Sequence, residues 1–234
     1  MVYFKPLTDS VCQKLFKTRG ALRFHKRKHI NLQQYLPAVC VDKKRGIFLV
    51  ANQKSGLLAP IHVCSHKQKQ IQLCSNNDCW SLMMKSNLQN PAIECCHLKA
   101  ATNATSAEII ELQEEHLSHL WNLFLSVKLI SEKTKQRCLK MSVACRESVI
   151  PLVVHANFDS KLYKDRMMYF SVFSESEDYF SNFRRVRVTF DSEDGVWSCK
   201  CPKSGERSMC GHEVLAKWYI AQTDPSKMVV VGRR

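Results

Sequence analysis

Residues 199–212 read CKCPKSGERSMCGH, and this stretch decides the fold of the C-terminal part of the chain. It holds two close pairs of soft ligands, Cys199 with Cys201 and Cys210 with His212, and eight residues separate the pairs. Three thiolates and one imidazole can complete a tetrahedral zinc site and leave no position for water, so such a site is structural rather than hydrolytic. The spacing therefore predicts a structural zinc site.

The residues on either side of this stretch predict the elements that carry the ligands. The apolar alternation of 186–190, an Asp-Ser-Glu-Asp-Gly turn and a second strand that ends at Cys199 predict a β-hairpin. Pro202 and Gly205 supply the bend that lets two thiols from one strand end turn to the same point. Residues 213–220 follow as a helical run.

This arrangement resembles the SWIM zinc-binding domain, in which Cys-x-Cys follows a β-hairpin and Cys-x-His precedes a helix. The match covers residues 184–222. SWIM modules occur in transposases, bacterial helicase-associated proteins and plant transcription regulators. The resemblance implies a module that binds DNA or protein.

A second cluster repeats this order with longer gaps. Its members are Cys74, Cys79, Cys95 and His97. Four residues separate Cys74 from Cys79, and fifteen residues separate Cys79 from the Cys95-x-His97 pair. We expect one zinc ion here, with two as an alternative. The spacing does not decide whether Cys95 or its neighbour Cys96 is the ligand. His62, Cys64 and His66 lie nearby in the sequence and could act as further ligands. The alternative without metal is a group of buried reduced thiols.

A third set of candidate ligands lies near the N-terminus. Cys12, His25 and His29 have the spacing of the last three ligands of a two-Cys two-His zinc finger, which this segment resembles. Asp9 stands where that family has its first thiolate, and a carboxylate there weakens the site. The alternative is a decayed finger that is kept as a basic helix.

The charge of the chain favours a polyanionic partner. Lys and Arg outnumber Asp and Glu by 35 to 21, so we expect nucleic acid first and acidic membrane surfaces second, although a basic surface can also serve solubility alone. The expected phosphate contacts are basic side chains in two groups: Lys17, Arg19, Arg23, Lys26, Arg27 and Lys28, and Arg184, Arg185 and Arg187. The finger positions that would face base edges (Thr18, Ala21 and Phe24) offer no bidentate reader, so contact should be sequence-tolerant.

A long amphipathic helix is expected in the middle of the chain. Thr105 and Glu108 have capping-box order, and apolar residues then recur near helical spacing to Ile130. We therefore predict an α+β chain of small zinc-stabilised hairpin and helix units around one long helix. Its parts are a finger-like segment at 1–30, a Cys/His module at 35–100, the helix at 105–135, which is also a candidate protein-binding face, and a SWIM-like domain at 148–225.

The cysteine content favours metal over disulfides. Twelve cysteines follow a start without an apolar signal-peptide run, and no run of about 18 apolar residues could span a membrane. With the basic charge, this favours the nucleus.

The functional expectation is a non-catalytic DNA or chromatin attachment module that binds Zn²⁺. Taken together, the clusters resemble, over residues 35–222, the cysteine-cluster regions that accompany Kyakuja-Dileera-Zisupton transposases, which implies zinc chelation and DNA binding beside a separate transposase domain. The sequence has no Gly-rich phosphate loop and no nucleophile with an orienting group, so an enzyme is the minority interpretation. The alternatives are a zinc-stabilised protein adaptor and a transposase fragment.

Overall fold

The computed structural model describes residues 7–8, 15–16, 36–52, 59–66, 71–79, 95–158, 166–175, 183–202 and 209–227. The chain divides into two units, residues 1–35 and 36–234. In the first unit, β1 (Leu7–Thr8) and β2 (Leu15–Phe16) pair antiparallel, with Leu7 opposite Phe16.

The second unit contains two sheets, four α-helices that lie wholly within its described residues, and the short 3₁₀ helix Pro225–Lys227. The first sheet is an antiparallel meander with one parallel strand added at its edge; its strands are β3 (Ala38–Asp42), β4 (Ile47–Val50), β5 (Ile61–His66), β6 (Ile71–Cys74) and β7 (Thr105–Ser106). The second sheet is also a meander, formed by β8 (Val153–Ala156), β9 (Met167–Phe173), β10 (Arg185–Asp191) and β11 (Val196–Cys199). The helices are α1 (Cys96–Ala101), α2 (Glu114–Ser126), α3 (Glu132–Ser148) and α4 (Gly211–Thr223). The α+β class expected from the sequence is confirmed.

The single helix predicted at 105–135 is wrong. Thr105 lies in β7, where it pairs with Val39 of β3, so a strand contact replaces the expected helix cap. Within this range, helix α2 begins only at Glu114. Lys128, which has a φ of 53°, lies just beyond its end. Ser131 then caps a second helix by accepting a hydrogen bond from the backbone N–H of Thr134.

Each of the two sheets contains a four-stranded antiparallel meander with the same strand order. In the first sheet, one rung across the meander joins Cys74, Val63, Phe48 and Cys40. In the second sheet, the corresponding rung joins Cys199, Val188, Phe170 and His155. In both, the last strand ends at a cysteine of a Cys/His cluster, and a helix follows the cluster. The unit therefore contains two modules of the same topology, each a four-stranded meander followed by a Cys/His cluster and a helix.

The two modules pack back to back, with a helix on the outer side of each sheet. α1 covers the first sheet and α4 covers the second. Side chains of the second sheet alternate between two hydrophobic cores: Val186, Val188 and Phe190 belong to the core beneath α4, whereas Tyr169 belongs to the core shared with the first sheet. Both faces of the second sheet therefore contribute to a buried core, although β11 is partly exposed at its edge.

Polar side chains also cross the interface between the sheets. His62 Nε2 lies 2.8 Å from the hydroxyl of Ser171, and both side chains are buried. Burial lowers the pKa of His62 well below its usual value, and the nearby Arg185 lowers it further. The imidazole is therefore neutral and serves the packing of the two modules.

A buried ion pair joins the modules as well. Arg185 Nη2 lies 4.0 Å from Asp42 Oδ2, and the two side chains are 0% and 1% exposed. Arg185 Nη1 donates to the Ser171 carbonyl at 3.4 Å, and Asp42 Oδ1 accepts from the Arg45 backbone N–H at 3.0 Å. Burial lowers the pKa of Arg185 to about 10, which still leaves it charged at neutral pH.

Gly46 in the turn from β3 to β4 should not tolerate a side chain. Its φ is +66°, and a Cβ there would lie 2.5 Å from the carbonyl oxygen of Ser65. We expect Gly46→Ala to lower the free energy of unfolding by more than about 1 kcal/mol, measured by chemical denaturation. Gly211→Ala is the control and should cost less, because the nearest atom there is the Cys138 sulfur at 3.2 Å. Equal losses would show that the backbone contact at Gly46 is not limiting.

Candidate metal centres

The C-terminal cluster brings four ligand atoms together. The sulfurs of Cys199, Cys201 and Cys210 and a ring nitrogen of His212 all lie within 4.8 Å of one another, and all four residues are buried. This arrangement could hold a metal ion with four protein ligands.

Strand and helix ends position these side chains. Cys199 is the last residue of β11, and its sulfur accepts from the Cys201 backbone N–H at 3.5 Å, which turns the chain between the two thiols. Cys210 is the N-cap of α4, where its sulfur accepts from the Glu213 N–H at 3.4 Å. His212 in the first helical turn then faces back toward the sulfurs. A helix N-terminus favours a negatively charged sulfur.

The imidazole of His212 supports a metal at this position. Both ring nitrogens are buried, and among the described residues neither has a hydrogen-bond partner. A buried polar atom without a partner is costly, and coordination would satisfy one nitrogen. Hydrogen bonds from Cys199 and Cys210 also hold the pKa of the Cys201 thiol well below its usual value, so one negative charge is already favourable among the three sulfurs.

The middle cluster is built in the same way. The sulfurs of Cys74, Cys79 and Cys95 and a nitrogen of His97 lie within 4.8 Å of one another. His97 Nδ1 faces the group, at 3.3 Å from the Cys79 sulfur and 3.7 Å from that of Cys74. Its other nitrogen, Nε2, lies 3.5 Å from the carbonyl oxygen of Asn52. A proton on Nε2 leaves the Nδ1 lone pair available for a metal.

Local hydrogen bonds fix the cysteines of this cluster. Cys74 ends β6, and the side-chain oxygen of Asn76 accepts from the Cys79 N–H at 3.2 Å. Cys95 is the N-cap of α1, with its sulfur accepting from the Leu98 N–H at 3.5 Å. The hydrogen bond from Cys74 lowers the pKa of Cys95 to about 4. Burial lowers the pKa of His97, but the contacts with Cys95 and Cys96 outweigh this and raise it to about 11, so a metal that binds at Nδ1 would displace a proton from the ring.

The structure shows which of the alternative ligands belong to the middle cluster. Cys95 joins the group, whereas Cys96 is exposed, with its sulfur 3.8 Å from His97 Nδ1. His62 faces the other sheet, and the Cys64 thiol lies 3.7 Å from the Arg45 carbonyl. Among the described residues, His66 is likewise not part of the cluster.

The structure describes only some of the other residues that were predicted to bind zinc or to contact phosphates. Cys12, His25 and His29 and the six cations of the finger-like segment (Lys17, Arg19, Arg23, Lys26, Arg27 and Lys28) lie outside the described residues, as does Asp9. The assignment of Arg185 to nucleic-acid contact is wrong, because its side chain is fully buried against Asp42. Arg187 is half-buried and donates to the Pro60 carbonyl at 2.6 Å, and Arg184 is exposed.

One basic helix face was not predicted from the sequence. Lys133, Arg137 and Lys140 lie four and three residues apart on α3, so they share one side of the helix. The opposite side of α3 is buried and includes Cys138 and Met141. The lysines at the start of α3 could have indicated this face. Because α3 is polar overall, its sequence shows no clear helical spacing of apolar residues.

Comparisons with protein-family models, with curated proteins and with solved structures give no match for this chain. Within the described part of the chain, no helix is both long and apolar enough to cross a membrane.

Proposed function

We propose that this protein is a non-catalytic, zinc-binding attachment module for nucleic acid that acts in the nucleus. The observation that carries the proposal is the pair of Cys₃His groups, each gathered within 4.8 Å at the end of a β-meander and the start of a helix. The resemblance to SWIM and transposase-associated cysteine clusters supports a transposon-derived or chromatin-associated origin.

Zinc fits the donor set of both groups best. Thiolates and imidazole are the ligands that Zn²⁺ takes in structural tetrahedral sites, whereas magnesium and calcium prefer oxygen. Four protein ligands leave no coordination position for a substrate or a reactive water. The role of the metal is therefore to stabilise each module.

The charge distribution supports nucleic acid as the partner. The net charge is +14, and α3 presents the exposed Lys133 and Lys140 on one side, with the half-buried Arg137 between them. Cations spaced along a helix contact phosphates without reading bases, so binding should tolerate different sequences.

Reversing the charge of this helix face should weaken duplex binding. In Lys133→Glu/Arg137→Glu/Lys140→Glu, three phosphate contacts are lost, so the slope of log affinity against log salt should become shallower by about 2 to 3. The measurement is a salt titration of binding to unrelated DNA duplexes.

Two controls separate charge from folding. Lys133→Arg/Lys140→Arg keeps the charge and should bind as the parent does, and Lys99→Glu reverses an exposed charge on α1 and should change binding little. A triple variant with the parent's slope would exclude α3 as the contact face.

A protein adaptor is the second candidate function. Leu123 and Val127 on and beyond the end of α2 are 37% and 51% exposed, which is typical of a partner-binding surface. Parent protein that binds duplexes equally at low and moderate salt, or at neither, would favour the adaptor over nucleic-acid attachment.

A further inference from the structure

A cavity of about 520 Å³ lies apart from both metal clusters. It is bounded by the β3–β4 turn, the extended residues 109–112, the end of α3 and residues 149–152. Leu112, Cys145 and Ile150 form a buried apolar floor. We propose that this cavity binds a peptide segment of a partner protein that carries large apolar side chains flanked by carboxylates.

Two apolar side chains at the rim of the cavity are largely exposed to water, which is unfavourable for apolar groups. Ile109 is 63% exposed and Val149 is 74% exposed, and both line the opening. Val149 also has a φ of 54°, in the left-handed region where a β-branched side chain is strained. It ends α3, a position at which glycine is the usual residue. An exposed, strained valine at a cavity rim is explained if a ligand covers it.

The charges around the cavity select an acidic ligand. Lys43 and Lys44 extend from the β3–β4 turn, and Arg146 lies across the cavity on α3. Of the two acidic residues at the cavity, Asp42 is buried beside Arg185, which leaves Glu111 at the surface. Cations therefore predominate at the rim, and an anionic partner complements them.

The position of the apolar groups favours a peptide over a small molecule. A small ligand would occupy only the floor of the cavity. The two most exposed apolar side chains lie at the rim, so a ligand must extend out of the cavity to cover them. A peptide can place one side chain on the floor and lay its neighbours across Ile109 and Val149 while its carboxylates meet the lysines.

The test uses fluorescence anisotropy with the full chain and three labelled synthetic peptides. One contains glutamate, leucine and phenylalanine; the second has lysine for each glutamate; the third has serine for each leucine and phenylalanine. We expect saturable binding of the first alone. Val149→Gly and Ile109→Ser should each weaken it by about tenfold, as loss of a central apolar contact does.

The variants keep the test independent of folding. Val149→Gly places glycine at a left-handed position, so the protein should unfold at the same or a higher temperature while binding less peptide. Val196→Ser removes another exposed valine, on β11, and should bind like the parent. Absence of binding, equal binding of the lysine peptide, unchanged binding by Val149→Gly, or displacement of the peptide by decanoate, which would identify a small-molecule site, would each overturn the proposal. None of these outcomes bears on nucleic-acid attachment.

Discussion

Cys210→Ser should lose one equivalent of zinc and unfold the C-terminal module. The thiol is one of four ligand atoms within 4.8 Å, and its residue belongs to the core beneath α4. Serine is a good helix N-cap, so the helix start keeps its hydrogen-bond acceptor and the effect of the metal is isolated. Zinc supplies much of the folding free energy of small metal-bound modules. Elemental analysis and amide hydrogen exchange are the measurements.

Cys138→Ser is the matched control for this variant. Cys138 is fully buried and its thiol donates to the Gly211 carbonyl at 3.5 Å, beside the cluster but outside it. Its zinc content should equal that of the parent. Cys74→Ser should also lose one equivalent, from the other cluster. Parent-level zinc in Cys210→Ser would refute the assignment of this ligand.

Arg185→Met should lower the free energy of unfolding by about 3 to 5 kcal/mol. It leaves the buried carboxylate of Asp42 with only the partly exposed Arg45, whose Nε lies 3.9 Å away, as a cationic partner, and breaking a buried ion pair has a cost of this size. Chemical denaturation measures the loss.

The double variant Asp42→Leu/Arg185→Met should recover most of this stability, because it removes both charges together. Arg184→Met, at the exposed neighbouring position, should have little effect. A double variant no more stable than Arg185→Met would show that packing volume, rather than the unpaired charge, causes the loss.

The spacing of cysteines and histidines carried more information than any other sequence feature. It anticipated which side chains converge in both clusters, because ligands must come from a strand end and a helix start that lie close in sequence. It could not separate Cys95 from Cys96, since that choice depends on which one caps α1.

Helical periodicity was the weaker guide. Thr105 and Glu108 have the order of a helix cap, but pairing with β3 places Thr105 in a strand. α3 was missed because its buried side is built from Cys138, Met141, Ser142 and Cys145, of which only Met141 counts as strongly apolar. The similarity of the two meanders was also hidden, because the residues that the corresponding rungs share, a cysteine, a valine and a phenylalanine, lie on three different strands and are far apart in the sequence.

Strands β8 to β10 carry buried side chains on both faces of their sheet, and this limits how the molecule can be divided. Val154, Ala156 and Tyr169 belong to the core that this sheet shares with the other meander. A truncated chain that keeps the second meander alone would expose these groups on an array of strands, the kind of surface through which proteins aggregate. We therefore expect each meander to need the other for solubility, either in one polypeptide or supplied together.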